Sequence, residues 1–228
     1  MNKRLIIALD FDNTRSTLDF LEHVDPDKCM VKVGLELFIS EGWKILDLIS
    51  GKGFEIFLDL KLHDIPNTVY EAVKSAADHG VWMTNVHASG GEEMLTASKK
   101  ALDDFESPPI LIGVTVLTSL SQDSLKAIGF NNLEDQVLRL AGLVKNSGLD
   151  GVVCAPTDIN SIKTKFGNSF LSVTPGVRPE DADSNDQYRI STPSEAIKKG
   201  ADYIVIGRPI TQAKNPQEAL EKIHKEIS

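Results

Sequence analysis

Ile56-Phe57-Leu58-Asp59-Leu60-Lys61-Leu62-His63-Asp64-Ile65-Pro66 is the stretch that decides the fold. Ile56 to Leu60 has the length and the apolar bias of a buried strand, and Pro66 suits the first turn of a helix. The segment is therefore a strand handing over to a helix through a short polar loop. Runs of similar length recur in both directions, at Leu5 to Leu9, Met30 to Val33, Met83 to Val86, Ile110 to Val116, Gly151 to Cys154, Phe170 to Val173 and Tyr203 to Ile206, about eight in all. Between them, Asp47 to Ser50, Tyr70 to Asp78, Met94 to Leu102, Glu134 to Asn146 and Ala219 to Glu226 carry apolar residues at three- and four-residue intervals and predict parts of amphipathic helices. Regular alternation of strand and helix implies right-handed crossovers and a parallel sheet. About eight repeats favour a closed (β/α)8 barrel in the α/β class, running as a single catalytic domain over residues 1–228. A doubly wound dinucleotide fold would carry G-x-G-x-x-G after its first strand, where this chain has Ala-Leu-Asp-Phe-Asp-Asn.

Bulk composition narrows the partners. Lys and Arg total 24 against 33 Asp and Glu, a net charge of -9 that disfavours nucleic acid and anionic membranes. An anionic ligand would need a positive field made locally by a few placed side chains. Cys29 and Cys154 have no metal-ligand spacing and make no disulfide framework, so both are expected to be buried small hydrophobes. The apolar run after Met-Asn-Lys-Arg ends at Asp10 and Asp12, too early for a signal peptide, and no stretch reaches membrane-span length. A cytoplasmic location is the expectation.

In a barrel, chemistry belongs at the carboxyl ends of the strands. By strand parity Phe57, Asp59 and Lys61 share one face and Ile56, Leu58 and Leu60 the other, so Asp59 and Lys61 project inward. Lys32 lies inward between Val31 and Val33, Asp10 ends the first strand, and Asp64 follows in the loop. An alternating Asp, Lys, Asp, Lys, Asp array on one rim is expected, with an inward lysine poised as a proton donor. The last two strands lead into Thr174-Pro175-Gly176-Val177-Arg178 and Gly207-Arg208-Pro209, the loops that commonly cradle phosphate in barrels. Pro179 to Arg189 is a long polar loop expected to close over the ligand. His63 and His87 are placed to line the pocket without any nucleophile to serve, whereas His23, His79 and His224 are expected on solvated helix surfaces. No zinc spacing occurs.

Asp59-Leu-Lys61-Leu-His-Asp64-Ile-Pro-Asn-Thr68, with Thr-Pro-Gly-Val-Arg178 and Ile-Gly207-Arg208-Pro, resembles the orotidine 5'-phosphate decarboxylase family in its shorter bacterial form. The resemblance extends through Val-His-Ala-Ser-Gly-Gly at 86–91, Val-Thr-Val-Leu-Thr-Ser at 114–119, Gly-Leu-Asp-Gly-Val-Val-Cys at 148–154 and Asp-Gln-Tyr-Arg-Ile at 186–190. It implies a carboxy-lyase that releases CO2 from C6 of orotidine 5'-monophosphate to give UMP, the last step of de novo pyrimidine synthesis, without metal or organic cofactor. It also implies roles for individual residues. Lys61 protonates C6 and Asp59 lies against the departing carboxylate. Asp10 and Lys32 meet the ribose hydroxyls, Lys32 also holds Asp59 in the charged array, Thr118 contacts the substrate from the fifth loop, Pro175 lies beside the pyrimidine, and Arg178, Gln187, Gly207 and Arg208 grip the phosphate. Asp64 and Thr68 reach into the neighbouring subunit's site of a homodimer.

Two alternatives stand beside this expectation. Magnesium-dependent sugar-phosphate enzymes of the same superfamily share the Asp-x-Lys-x-x-Asp string, but they carry a metal-binding glutamate where this chain has Lys32. A catalytically inactive barrel that binds nucleotides as a sensor or scaffold would have little reason to keep so many charges together.

Overall fold

The computed structural model describes residues 3–179 and 191–227. Its strands are β1 Leu5–Ala8, β2 Met30–Gly34, β3 Ile56–Leu62, β4 Met83–His87, β5 Ile110–Val114, β6 Gly151–Val153, β7 Leu171–Thr174 and β8 Tyr203–Ile206. They pair in parallel in sequence order, and β8 returns to β1 through Leu5↔Ile204 and Ile6↔Val205, which closes the barrel. The helices are α1 Thr14–Leu21, α2 Leu35–Glu41, α3 Trp43–Ser50, α4 Pro66–Asp78, α5 Gly91–Lys100, α6 Gln122–Ala127, α7 Leu133–Asn146, α8 Ile159–Phe166, α9 Pro193–Lys198, α10 Arg208–Thr211 and α11 Pro216–Ile227. The expected (β/α)8 architecture is present.

Strand parity sorts the core into two shells. Ile6, Ala8, Met30, Phe57, Met83, Ile112, Val114, Val153, Val173 and Val205 fill the barrel interior. Their neighbours in sequence, among them Leu5, Ile7, Val31, Val33, Ile56 and Leu58, face outward and pack under the helices. Several of the helices are fastened at their starts by local chemistry. Pro66 occupies the first turn of α4, Asn13 caps α1 by accepting from Ser16 N at 2.9 Å, and Thr192 and Glu195 form a reciprocal capping box on α9. Cys29 and Cys154 are both buried as expected, and burial pushes the Cys29 thiol up to about 12, which makes it inert.

Acids at the amino ends of the strands serve the frame. Asp202 Oδ2 accepts from Lys163 Nζ at 2.6 Å and from Ser172 N at 2.7 Å, and Asp150 Oδ2 accepts from Leu111 N at 2.8 Å. Close strand packing adds its own constraint. A Cβ added at Gly151 on β6 would overlap Leu171 O and lie 2.8 Å from Leu171 C, and a backbone cannot give way as a flexible side chain can. Gly151→Ala is therefore expected to cost about 1–3 kcal/mol and to lower the thermal midpoint by roughly 3–10 °C. Circular dichroism melts would show it; an unchanged midpoint would mean that β6 and β7 have room between them.

Candidate active site

At the carboxyl ends of the strands a cavity of about 340 Å³ opens above the barrel interior, a size suited to a small metabolite. Its floor is apolar, made by Phe57, Val114, Val153, Val173 and Val205. Asp10, just beyond β1, with Lys32 on β2 and Asp59 and Lys61 on β3, supplies charge, as do Arg178 after β7 and Arg208 at the start of α10 after β8. Thr118, Pro175 and Gly207 also line it. Every described residue expected to hold substrate from within one chain is thus at one cavity.

The charged residues form a connected chain. Lys32 Nζ lies 3.3 Å from Asp10 Oδ1 and 3.4 Å from Asp59 Oδ2, and Lys61 Nζ lies 2.7 Å from Asp59 Oδ1. Asp59 is only 8% exposed. Burying a carboxylate is costly unless cations and donors meet it, and here both of its oxygens are met. Burial opposes the charge on Lys32, yet the Asp59 and Asp10 carboxylates outweigh it and hold the ammonium's pKa above its usual range. Lys32 therefore stays a cation and neutralises the array between Asp10 and Asp59, while Lys61 meets the other oxygen of Asp59; both lysines line the cavity.

The backbone under Lys61 is unusual. Between Leu58↔Thr84 and Leu62↔Val86 the register of β3 against β4 shifts, so that β3 spends two more residues than β4. Inside that irregularity Lys61 has φ +52, the one positive value at a non-glycine residue among those described. Asn85 on β4, fully buried, donates from Nδ2 to Asp59 Oδ1 at 2.7 Å and accepts from Lys61 N at 2.8 Å through Oδ1. The sequence reading did not single out Asn85. Its parity with Met83 placed it inward on an adjacent strand, and that was the available signal.

The rest of the rim is built from the loops after β7 and β8. Gly176 has φ +79, which suits glycine, and carries the chain from β7 to the buried Arg178. Arg178 N donates to Ser191 O at 3.0 Å, pinning that loop. Gly207 precedes α10, whose single turn begins Arg208-Pro209. Gln187 and nearly all of the polar loop from Pro179 to Arg189 lie outside the described residues.

Three expectations need correction. Asp64 does not join the array: it is exposed, its Oδ1 accepts from Ile65 N at 2.7 Å, and neither it nor Thr68 lines the cavity of its own chain. His63 and His87 do not line it either; their rings pack together at 5.4 Å. Burial first, then His63 and Lys61, hold the His87 imidazole below its usual range, against a smaller opposing effect of Asp59. His224 is half-buried and bonded to Lys28 O rather than solvated, whereas His79 is exposed and stacks on Trp43 at 3.8 Å.

Residues 3–223 match the model of the Orotidine 5'-phosphate decarboxylase / HUMPS family. The orotidine 5'-phosphate decarboxylase of Saccharophagus degradans is 52% identical over 226 residues, covering 99% of this chain and 95% of the relative. That of Aliivibrio fischeri strain MJ11 is 51% identical over 229 residues, covering 100% and 98%. Among solved structures, the orotidine 5'-phosphate decarboxylase of Lactobacillus acidophilus superposes with a TM-score of 0.88 at 41% identity, covering 99% of both chains. An uncharacterized conserved protein of Geobacillus kaustophilus superposes at 0.87 with 38% identity, covering 98% of this chain and 100% of its own. On the fold, the cavity and these end-to-end matches, the chain belongs to the orotidine 5'-phosphate decarboxylase / HUMPS family.

Proposed function

We propose that this chain decarboxylates orotidine 5'-monophosphate at C6 to give UMP and CO2, closing de novo UMP synthesis in the cytoplasm with neither metal nor organic cofactor. The observation that carries the reading is the Asp10–Lys32–Asp59–Lys61 chain in a cavity that Arg178 and Arg208 also line. The arginines and Gly207, with Gln187 by family resemblance, take the phosphate, and Asp10 and Lys32 the ribose hydroxyls. Thr118 and Pro175 flank the pyrimidine. Its carboxylate is then directed at Asp59. When the C6–carboxylate bond breaks, its electron pair stays on C6, next to the Lys61 ammonium. That cation stabilises the developing charge, and a proton moves from Nζ to C6 to complete UMP. Like-charge repulsion from Asp59 is relieved as neutral CO2 leaves, and Lys61 regains its proton from solvent.

The active form in this reading is a homodimer in which Asp64 and Thr68 serve the neighbouring cavity. Their exposure supports it, as do Leu35, Ile39 and Ile65, large apolar residues left 50%, 77% and 68% exposed just beyond the carboxyl ends of β2 and β3. Magnesium-dependent sugar-phosphate chemistry is disfavoured by Lys32, whose ammonium stands within 3.4 Å of both Asp10 and Asp59, where it would repel a divalent ion.

The test is loss of orotidine 5'-monophosphate absorbance with EDTA-treated enzyme. Rapid stoichiometric formation of UMP is expected. No turnover would sink the reading, and turnover only after magnesium is restored would overturn its metal-independence.

A further inference from the structure

We propose that Asn85 is a positioning residue for the Asp59–Lys61 pair, fixing the carboxylate and the lysine backbone together through the two ends of one amide. The inference rests on Lys61 being the proton donor. Asn85 lies on β4 and is fully buried; its Nδ2 meets Asp59 Oδ1 at 2.7 Å and its Oδ1 meets Lys61 N at 2.8 Å. The orientation of the amide follows from its partners. A carboxylate oxygen only accepts and a backbone N–H only donates, so the flipped amide would face donor with donor and acceptor with acceptor.

Two features of β3 need this residue. The first is the backbone of Lys61, held at φ +52 in a conformation that L residues rarely adopt and that persists only where the surroundings impose it. Within the register shift, the Lys61 N–H is met by the Asn85 side chain instead of a backbone carbonyl. The second is Asp59 Oδ1, which receives Lys61 Nζ at 2.7 Å as well as the Asn85 amide. Asn85 thus sets the carboxylate rotamer from one side while Lys32, 3.4 Å from Oδ2, sets it from the other. The chemistry is selective for asparagine. Aspartate would put a second negative charge against Asp59, leucine would satisfy neither partner, and serine is too short to span both.

Removing the amide frees the Lys61 backbone to relax and loosens Asp59, so the ammonium is no longer held over the reacting carbon. A misplacement of about 1 Å at such a centre costs on the order of 10²-fold in rate. Phosphate and ribose contacts come from β1, β2 and the loops after β7 and β8, and do not depend on it. For Asn85→Ala, kcat is expected to fall on the order of 10²-fold while KM and UMP affinity move less than roughly threefold.

The control is Thr84→Val. Thr84 is also buried on β4 and donates to Leu58 O at 3.1 Å, but it points away from the cavity. It should lower the melting temperature comparably and leave kcat near wild type. A kcat loss for Asn85→Ala no larger than that for Thr84→Val, or a rise in KM with kcat preserved, overturns the proposal. Should the alanine variant not fold, Asn85→Ser decides by the same numbers. Lys61→Ala in the same assay separates the two readings: if it turns over like wild type, the proton-donor reading fails, whereas an inactive Lys61→Ala beside fully active Asn85 variants refutes the positioning role alone.

Discussion

Lys61→Ala should bind nucleotide and yet lose at least about 10⁴-fold in kcat, because two effects vanish together. In the proposed mechanism the ammonium is both the charge that faces the electron pair left on C6 and the source of the proton that quenches it. General acid catalysis alone is worth about 10²–10⁴-fold, and a preorganised charge at the developing anion contributes a comparable factor. Binding should persist, since the arginine side of the cavity and the Asp10–Lys32 pair are untouched. The fold should persist as well, because Asp59 keeps Lys32 at 3.4 Å and the Asn85 amide at 2.7 Å after Lys61 is gone. Lys61→Arg is expected to restore little. Guanidinium remains charged but surrenders a proton reluctantly, and its planar fork does not fit a space shaped for an ammonium 2.7 Å from Asp59. Single-turnover kinetics with calorimetric UMP binding would separate chemistry from affinity. A Lys61→Ala enzyme within about tenfold of wild-type kcat would remove Lys61 from the mechanism.

How the sequence discloses this site shows where local rules suffice. Strand-length apolar runs and their regular alternation with helical segments identified all eight strands, and parity gave the inward face of β3 and the inward Lys32 of β2, because a barrel strand must bury one face inside and the other under helices. Lys61 came out correctly placed although β3 is irregular there. The two extra residues of β3 are an even insertion, so alternation survives the register shift while the left-handed backbone stays invisible. Asn85 was missed for a different reason: parity with Met83 could have placed it inward, but the partners that give it a purpose lie 24 and 26 residues earlier. Periodicity also passed over short helices such as α2, α6, α9 and α10, which offer too few turns for an apolar stripe. Asp64 shows the limit most clearly. Proximity in sequence to Asp59 and Lys61 suggested membership of one array, but the chain turns out of its own cavity at that point, and only the family resemblance gave Asp64 a place to act.

That place can be tested by mixing two inactive proteins. Asp64→Ala and Lys61→Ala homodimers should each be nearly inactive, the first by about 10²–10³-fold if Asp64 presents its charge to a reacting centre. Suppose Asp64 serves the neighbouring cavity. In a mixed dimer, the cavity of the Asp64→Ala chain has an intact Lys61 of its own and receives an intact Asp64 from the Lys61→Ala chain. That site is wild type in every respect, and the other site of the same dimer carries both lesions. Random re-pairing of equal amounts makes half the dimers mixed, so about a quarter of all sites, and about a quarter of wild-type activity, should return. If Asp64 instead worked in its own chain, every site of the mixed dimer would keep one lesion and mixing would restore nothing. Exchange at low protein concentration followed by reconcentration would allow re-pairing, and it would also reveal whether activity falls with dissociation. Recovery near a quarter would establish the shared site; no recovery, from variants verified to form mixed dimers, would confine Asp64 to its own subunit and leave its exposed position after β3 without a catalytic purpose.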